Sequence, residues 1–349
     1  MIKRAISKVV GSEDLSEEEA RKTMEEIMSG DATNAQIAAF LTGLRLKGEI
    51  VEEIVAFARV MREFCSRIEP KIRGILLDTC GTGGDRLNTF NISTASALVA
   101  AGAGIPIAKH GNRSVTSKCG SADVLEMCGV NIGLEPKSVE RCIERIGFGF
   151  MFAPMFHGAM KYATPVRKEM GIRTVFNILG PLTNPAGAKA QVMGVYDPSM
   201  TETLAKVLKE LGTERAMVVH GLDGLDEISN VGETRISEVC DGDVNTYIMK
   251  PEDIGFDRAM SNEIMGYGAE DNVLLMINLL KGGEGPRRDA VLINAAAAII
   301  VGGKAESFEE GVEIAKDSID SRRAYDILRE LISATEGDPS KLESLEDKL

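Results

Sequence analysis

The sequence predicts an α/β protein in two parts. A small all-helical N-terminal domain covers residues 1–70, joined by a helical segment around 159–190, and a larger α/β domain with a mostly parallel central sheet covers 71–349. Three observations predict this. The 349 residues exceed what one hydrophobic core usually serves, so two domains are expected. Residues 1–70 carry helical periodicity only. From residue 74 onward, short β-rich runs alternate with helical stretches, the pattern of a parallel sheet whose ligands sit beyond the carboxyl ends of its strands.

In the helical domain, Ser16-Glu-Glu-Glu19 reads as a capping box, and Ala20, Met24, Ile27 and Met28 follow on one helical face until Gly30. Thr33-Asn-Ala-Gln36 is a second box, opening a helix with Ile37, Phe40, Leu41 and Leu44 at helical spacing. A third helix presents Ile54, Ala58, Met61 and Cys65 and stops before Pro70. Three short amphipathic helices bury little surface by themselves, so their faces are expected to pack on something else, a second subunit in a homodimer. In the α/β domain the expected strands are 75–78, 105–108, 149–153, 192–196 and 216–220. Gly180, Pro181, Pro185 and Gly187 mark a turn region where the chain crosses between domains.

Composition narrows the function. A net charge of −13 argues against a nucleic-acid partner, which normally requires a basic patch or stripe. It leaves a small anionic substrate open, because charges beyond about 8 Å are largely screened at physiological salt and the lining of the site decides. The six cysteines (Cys65, Cys80, Cys119, Cys128, Cys142, Cys240) form no C-x-x-C pair and read as free thiols. Lys3, Arg4 and Lys8 interrupt the first residues and no signal-peptide core follows, while no run of eighteen apolar residues occurs anywhere. A cytoplasmic protein with no membrane partner is expected.

The glycines cluster. Asp78-Thr-Cys-Gly-Thr-Gly-Gly-Asp85 follows the apolar run Ile75-Leu-Leu77, and Asn91-Ile-Ser-Thr94 then opens the alanine-rich stretch Ala95 to Ala101. Glycines let backbone N–H groups converge on one anion, and a helix N-terminus adds oriented donors and partial positive charge. The hydroxyls of Ser93 and Thr94 suit phosphate oxygens or a phosphate-bound Mg²⁺. The loop is neither a Walker A loop, since no Gly-Lys-Ser/Thr follows, nor a dinucleotide fingerprint, since the spacing differs. The alternative is a plain strand-to-helix turn with Ser93 as its cap. A second cluster, Lys109-His-Gly-Asn-Arg113, comes straight after the run Ile105–Ala108, with Ser114, Thr116, Ser117, Lys118 and Gly120-Ser121 behind it. Two successive strand ends thus offer two glycine-bearing loops, two cations and several hydroxyls, which suits a substrate with two separated phosphate groups.

Asp226 and Glu227 lie in the loop after the run Ala216–His220. Adjacent loop carboxylates are hard oxygen donors for Mg²⁺, which is commonly held by one or two carboxylates, waters and substrate phosphates; a solvated acidic loop is the alternative, and Asp223 is a weaker third candidate. Arg167 can pair its planar guanidinium with a carboxylate or can simply be a surface arginine. Among His110, His157 and His220, the last, flanked by apolar strand residues, is expected to satisfy a backbone group. His110, inside the basic loop, is a candidate for touching substrate. No residue is assigned as a catalytic base.

Gly81-Thr-Gly-Gly-Asp85, Asn91-Ile-Ser-Thr94 and Lys109-His-Gly-Asn-Arg113, in that order and spacing, resemble the anthranilate phosphoribosyltransferases. The resemblance continues through Phe152-Ala-Pro-Met-Phe-His157, Pro165-Val-Arg167 and Gly171-Ile-Arg-Thr-Val-Phe-Asn-Ile-Leu-Gly-Pro-Leu-Thr-Asn-Pro185 to Leu225-Asp-Glu-Ile228 and Gly285-Pro-Arg-Arg-Asp289, nearly the whole chain. Gly158 departs from the family, which usually has proline after the histidine. The resemblance implies transfer of the phosphoribosyl group of phosphoribosyl pyrophosphate (PRPP) to anthranilate, Mg²⁺ as cofactor and a homodimer formed largely through the helical domain. It further implies PRPP contacts at Gly81, Gly84, Asp85, Thr89, Asn91, Ile92, Ser93, Thr94, Lys109, His110, Gly111, Asn112, Arg113, Ser114, Val115, Thr116, Ser117 and Ser121. Anthranilate contacts are implied at Gly81, Asn112 and Arg167, and metal ligands at Ser93, Asp226 and Glu227. The nearest rival is a pyrimidine-nucleoside phosphorylase of similar fold, against which the Arg167 segment and the Asp226-Glu227 pair speak.

Overall fold

A computed structural model describes residues 1–83, 89–114 and 119–349. Four helices come first: α1 (Ile2–Val10), α2 (Glu17–Ser29), α3 (Asn34–Lys47) and α4 (Val51–Glu63). Both expected capping boxes form, Ser16 with Glu19 and Thr33 with Gln36, so each helix begins with two of its orphan N–H groups satisfied. The apolar faces of α2 and α3 are buried as their spacing requires, from Met24 and Ile27 to Phe40 and Leu44. The first of the four is not among the expected helices, because Ile2, Ala5 and Val9 make too short an apolar face to separate from a coil.

The remainder follows an alternating order. Strand β1 (Leu77–Gly81), helix α5 (Ile92–Gly102), β2 (Ile107–Gly111), α6 (Ser121–Met127), α7 (Pro136–Ile146) and β3 (Phe148–Phe152) build one flank of a sheet. The chain then passes through α8 (Ala153–Phe156), a 3₁₀ turn at Gly158–Tyr162, α9 (Thr164–Met170) and α10 (Phe176–Leu182) before β4 (Ala190–Gly194), α11 (Met200–Glu210) and β5 (Arg215–Gly221). A hairpin of β6 (Thr234–Cys240) and β7 (Asp243–Met249) follows, then α12 (Ala269–Leu280), α13 (Pro286–Val301), α14 (Phe308–Asp320), α15 (Arg323–Ala334) and α16 (Pro339–Glu346).

The seven strands lie in the order β3-β2-β1-β4-β5-β6-β7. The first five are parallel, and β5-β6 and β6-β7 are antiparallel. The chain leaves β1 toward β2 and β3, then returns to β4 on the other side, so β1 and β4 flank a topological switch point, where open parallel sheets bind ligands. The expected strands are shifted by up to three residues, and the β6-β7 hairpin was not expected at all. Its turn is Asp241-Gly242, both at positive φ (51° and 82°), the two-residue geometry whose twist matches paired strands.

The two faces of the sheet bury different partners. Met217 and Val219 of β5 join α5, α12 and α13 on one side, while Ala216 and Val218 join α11 on the other. That second core runs on without a break through Leu204 and Leu208 of α11, Val166 of α9 and Leu179 of α10 into the N-terminal helices. The faces of α2 to α4 are therefore covered within the chain itself, so the expectation that they need a second subunit for burial loses its ground. All six cysteines are free thiols. Among the described residues no helix is long and apolar enough to cross a membrane.

Between the N-terminal helices, a fully buried carboxylate organises the turns. Glu53 is fully buried, accepts the N–H groups of Leu15 (2.9 Å) and Ile50 (3.1 Å), and pairs with Lys47 at 2.9 Å. Removing one member of such a group leaves the others buried without compensation. Glu53→Ala is therefore expected to cost about 3 kcal/mol of stability, the low end for a buried pair because Asp14 also reaches Lys47. Urea unfolding followed by circular dichroism measures this; an unchanged midpoint would contradict it.

Candidate active site

The switch point is unusually free of side chains. Strands β1, β2, β4 and β5 all end on glycine, and Gly81 stands opposite Gly194 in register. A Cβ on Gly194 would overlap the Asp226 carbonyl, and one on Gly81 would come within 3.1 Å of Asp226 Oδ2. The loop after β5 thus lies directly on the ends of β1 and β4, with the Asp226 carboxylate beside Gly81, and both Asp226 and Glu227 are half-buried. Position 194 is glycine because the Asp226 backbone occupies the space a side chain would need, and at Gly81 the Asp226 carboxylate crowds it.

On the other side of Gly81, α5 begins. Asn91 makes no side-chain cap bond, donating instead from Nδ2 to the Cys119 carbonyl (3.3 Å), while its Oδ1 is buried without a partner. Ile92 N–H donates to Phe90 O (2.7 Å), and the side chains of Ile92 and Thr94 are buried. An uncapped first turn leaves the amides of Ser93 and Thr94 without intrahelical partners, an arrangement ready for an anion. Thr94 can therefore offer its backbone but not its hydroxyl. Thr89, just before α5, pairs with Met265 in an isolated bridge.

Lys109 differs most from its expected role. Its side chain runs under the sheet edge, with Nζ donating to Thr79 O (2.6 Å), Thr79 Oγ1 (3.2 Å) and Ser93 Oγ (2.9 Å), and the residue is only 2% exposed. Burial lowers its pKa, opposed first by the charge of Asp78, then Cys80 and Glu227. Lys109 ties β1 to the first turn of α5 and is not a surface cation reaching for a phosphate. Ser93 Oγ, besides accepting from Lys109, donates to Thr79 O (3.3 Å). Arg113, the second expected cation, is exposed but paired with Asp123 (3.0 Å) and Glu126 (2.7 Å), with Phe152 beneath it. Asp123 also accepts from Ser114 N and Gly120 N, and Ser121 Oγ donates to Asn112 O (3.4 Å), which ties the described residues after β2 to the start of α6. Gly111 is glycine because a Cβ there would overlap Ser121 Oγ. Gly84, Asp85, Val115, Thr116, Ser117 and Lys118 lie outside the described residues.

Asp78 is a further position of the site that the motifs did not single out, although a carboxylate inside an apolar strand was a visible signal. It is fully buried, accepts the His110 N–H (3.1 Å) and faces Gln191 Nε2, and burial raises its pKa. It thereby fixes β2 against β1 next to the loop. His110 and His157 lie with ring centroids 5.0 Å apart, both largely buried, and the Nε2 atom of each has no partner. His220 bonds Val195 O through Nδ1 at 2.6 Å, satisfying the backbone as expected. Asp223 organises its own loop: it accepts from Ser229 Oγ and from Leu225 N (3.3 Å), so its carboxylate is already engaged.

Arg167 is carried by α9, apart from these loops. Burial lowers its pKa, and the only partner of its guanidinium among the described residues is the Phe176 ring, 5.3 Å from its centroid. A half-buried guanidinium with no carboxylate is ready to accept one from a ligand. A side chain at Gly158 would meet nothing within 4 Å, so the departure from the family's proline leaves packing intact. Among the described residues no group of three or more His, Cys, Asp and Glu could hold a metal alone. Two carboxylates beside an anion cradle fit Mg²⁺ only when a substrate's phosphates complete its shell, which is the usual manner for that ion.

The paired helical and α/β domains, with an anion cradle at the switch point, define a class. The glycosyl transferase family, helical bundle domain, matches residues 3–65, and the glycosyl transferase family, a/b domain, matches residues 73–325. The anthranilate phosphoribosyltransferase of Pelotomaculum thermopropionicum is 55% identical over 96% of this chain and 97% of its own, and that of Alkaliphilus metalliredigens is 53% identical over 96% and 99%. The Thermus thermophilus crystal structure superposes with a TM-score of 0.90 at 44% identity, covering 95% of this chain and 99% of the other. The Saccharomyces cerevisiae enzyme, solved in complex with PRPP and Mg, gives 0.87 at 27% identity, covering 96% and 98%. The chain belongs to the anthranilate phosphoribosyltransferase family.

Burial, and then the neighbouring His157, bring the pKa of His110 down to about 3; burial brings His157 down to about 4. Both rings are therefore neutral at physiological pH and poor candidates for a base that titrates in the working range. Because the unfolded chain binds these protons near pH 6.5 and the folded one does not, the stability they reflect is complete above 6.5 and falls as pH drops toward 4. Imidazole resonances followed by NMR are expected to show neither ring titrating above pH 5. A ring that titrates near 6.5 would contradict the burial argument.

Proposed function

We propose that this chain transfers the 5-phosphoribosyl group of PRPP to the amine of anthranilate, forming N-(5-phosphoribosyl)anthranilate and pyrophosphate in tryptophan biosynthesis. The observation that carries the reading is the convergence at one switch point of glycine-ended β1 and β4, the uncapped start of α5 and the Asp226-Glu227 pair. The yeast relative's complexes with PRPP and Mg and with 4-fluoroanthranilate support the same substrates and Mg²⁺ here.

The anthranilate amine is uncharged at neutral pH and its lone pair is free to attack C1 of the ribose. The demanding event is departure of pyrophosphate while positive charge builds on the ring. The glycine loop and the amides of Ser93 and Thr94 would hold the phosphates, stabilising the negative charge that develops on the leaving group by groups already in place. Asp226 and Glu227, with the remaining lone pair of Ser93, would hold Mg²⁺, which when bound adds electrostatic stabilisation of the pyrophosphate. Gly81, Thr89, Asn91, Asn112 and the loop from Gly111 to Ser121 would line the PRPP path, while Lys109 and His110 act from beneath by fixing the loops. Arg167 would take the anthranilate carboxylate. Holding amine and C1 in line removes much of the entropic barrier, and the proton left on the attacking nitrogen is acidic enough to leave without an enzymic base.

A homodimer belongs to the same reading. Val10 and Leu46 are 69% and 83% exposed on neighbouring helices α1 and α3, an apolar outer face that the chain's own core leaves uncovered. Sedimentation at micromolar concentration is expected to give a dimer, and a monomer would remove the dimer from the reading. The activity is tested by loss of anthranilate fluorescence on adding PRPP and Mg²⁺; phosphorolysis of thymidine or uridine without PRPP would point instead to a nucleoside phosphorylase. In the same assay, Arg167→Ala is expected to raise the apparent KM for anthranilate at least about tenfold, the scale of one lost charge-assisted pair, with that for PRPP nearly unchanged. Equal increases for both substrates would mean that Arg167 holds α9 in place.

A further inference from the structure

Asn294 is an anomaly in its helix. It sits in α13 amid an apolar, alanine-rich run from Ala290 to Val301 and is only 2% exposed. A buried carboxamide is costly unless its hydrogen bonds are made. Here they are made largely outside the helix: Oδ1 accepts the Ile228 N–H (2.9 Å), and Nδ2 donates to Ile228 O (2.8 Å) as well as to Ala290 O (2.8 Å). One side chain thus satisfies both peptide groups of Ile228, as a neighbouring strand would. Ile228 is itself fully buried and directly follows Asp226 and Glu227.

The same stretch is held at two further points. Asn230 Nδ2 donates to Pro286 O (2.8 Å) in the first turn of α13, and Ser229 Oγ accepts from Val231 N (2.9 Å) and Gly232 N (3.1 Å) while donating to Asp223. On its other side the Asp226 backbone rests against Gly194. The loop is therefore clamped between the strand ends and α13, and the clamp nearest the two carboxylates is Asn294.

We propose that Asn294 is a positioning residue for the reaction: by pairing with both peptide groups of Ile228 it sets where Asp226 and Glu227 present their oxygens to a divalent cation and the phosphates bound with it. The inference rests on the reading of those two carboxylates as the metal site. Partners behind a metal ligand typically govern affinity by ten- to a hundredfold when removed, because they fix the ligand's orientation.

The test compares the intact enzyme with Asn294→Ala, with Asn294→Leu, which fills the volume but makes no hydrogen bond, and with the double variant Asp226→Ala/Glu227→Ala. Mn²⁺ binding in the presence of pyrophosphate is read by electron paramagnetic resonance, amide exchange is read in the segment 222–232, and thermal unfolding reports the fold. The double variant is expected to lose the bound Mn²⁺. Each Asn294 variant is expected to unfold cooperatively, to bind Mn²⁺ at least about tenfold more weakly, and to exchange faster in that segment. Its KM for anthranilate at saturating metal is expected to stay within about twofold of the intact enzyme, since Arg167 is on a separate element. Unchanged Mn²⁺ binding in the double variant would sink the metal reading and the role of Asn294 with it. Loss in the double variant but unchanged affinity in both Asn294 variants would overturn the role of Asn294 alone. Failure of both Asn294 variants to fold, or a parallel rise in the anthranilate KM, would make the residue a general core contact and overturn the inference.

Discussion

Gly81 and Gly194 end adjacent strands in register, and the Asp226 backbone occupies the space where a side chain at position 194 would have to be. The glycines permit this close approach, and the connections after β1 and β4 run to opposite sides of the sheet, so that the loops after the two strands diverge and leave a crevice. Much of the neighbourhood is arranged around keeping it. Asn294 and Asn230 clamp the far side of the loop, and Asp223 and Ser229 knit its interior. Across the gap, the uncapped start of α5 faces the same crevice. On the proposed reading, the net charge of −13 is no obstacle to a polyanion here, because distant surface charges are screened and the start of α5 adds oriented amides beside the carboxylate loop.

Beneath the crevice the charges are structural. Asp78 and Lys109 are both buried, each within strands that end in the loops above, and each directs its hydrogen bonds to neighbouring backbone: Asp78 to His110 N, Lys109 to Thr79 O. Burying an isolated charge is prohibitive, so they stand close enough for the charge of each to oppose the burial cost of the other. The result is a floor that fixes β1, β2 and the start of α5 in one register. The cations expected to reach for phosphate are thus engaged elsewhere, Lys109 in this floor and Arg113 with Asp123 and Glu126, so the proposed reading gives binding to oriented amides and to the carboxylate loop.

The sequence made the architecture legible where patterns are local. Capping boxes at Ser16 and Thr33 and the strand-end glycines Gly81 and Gly111 each carry their own physical reason within a few residues; both boxes form, and both glycines close their strands. The β6-β7 hairpin was equally legible through its Asp241-Gly242 turn between two β-rich runs, yet it breaks the alternation of strand and helix that the preceding chain follows. What could not be read was any property set by distant partners. Lys109 looks like a phosphate ligand in its motif, and only the tertiary fold shows Thr79 and Ser93 closing over its Nζ. Asn294 looks like a lapse in an apolar helix until Ile228, sixty-six residues earlier, is seen against it. The helical faces looked short of burial because their covering elements, α9 to α11, lie over a hundred residues away along the chain.

The central claim is that the two loop carboxylates and the glycine-ended strands form one site for a metal-bound pyrophosphate group. The most direct measurement is anomalous scattering from crystals of the enzyme grown with PRPP and Mn²⁺. A metal peak coordinated by Asp226 and Glu227 and by phosphate oxygens, above the ends of β1 and β4, is expected. Bound PRPP with its metal away from both carboxylates would contradict it.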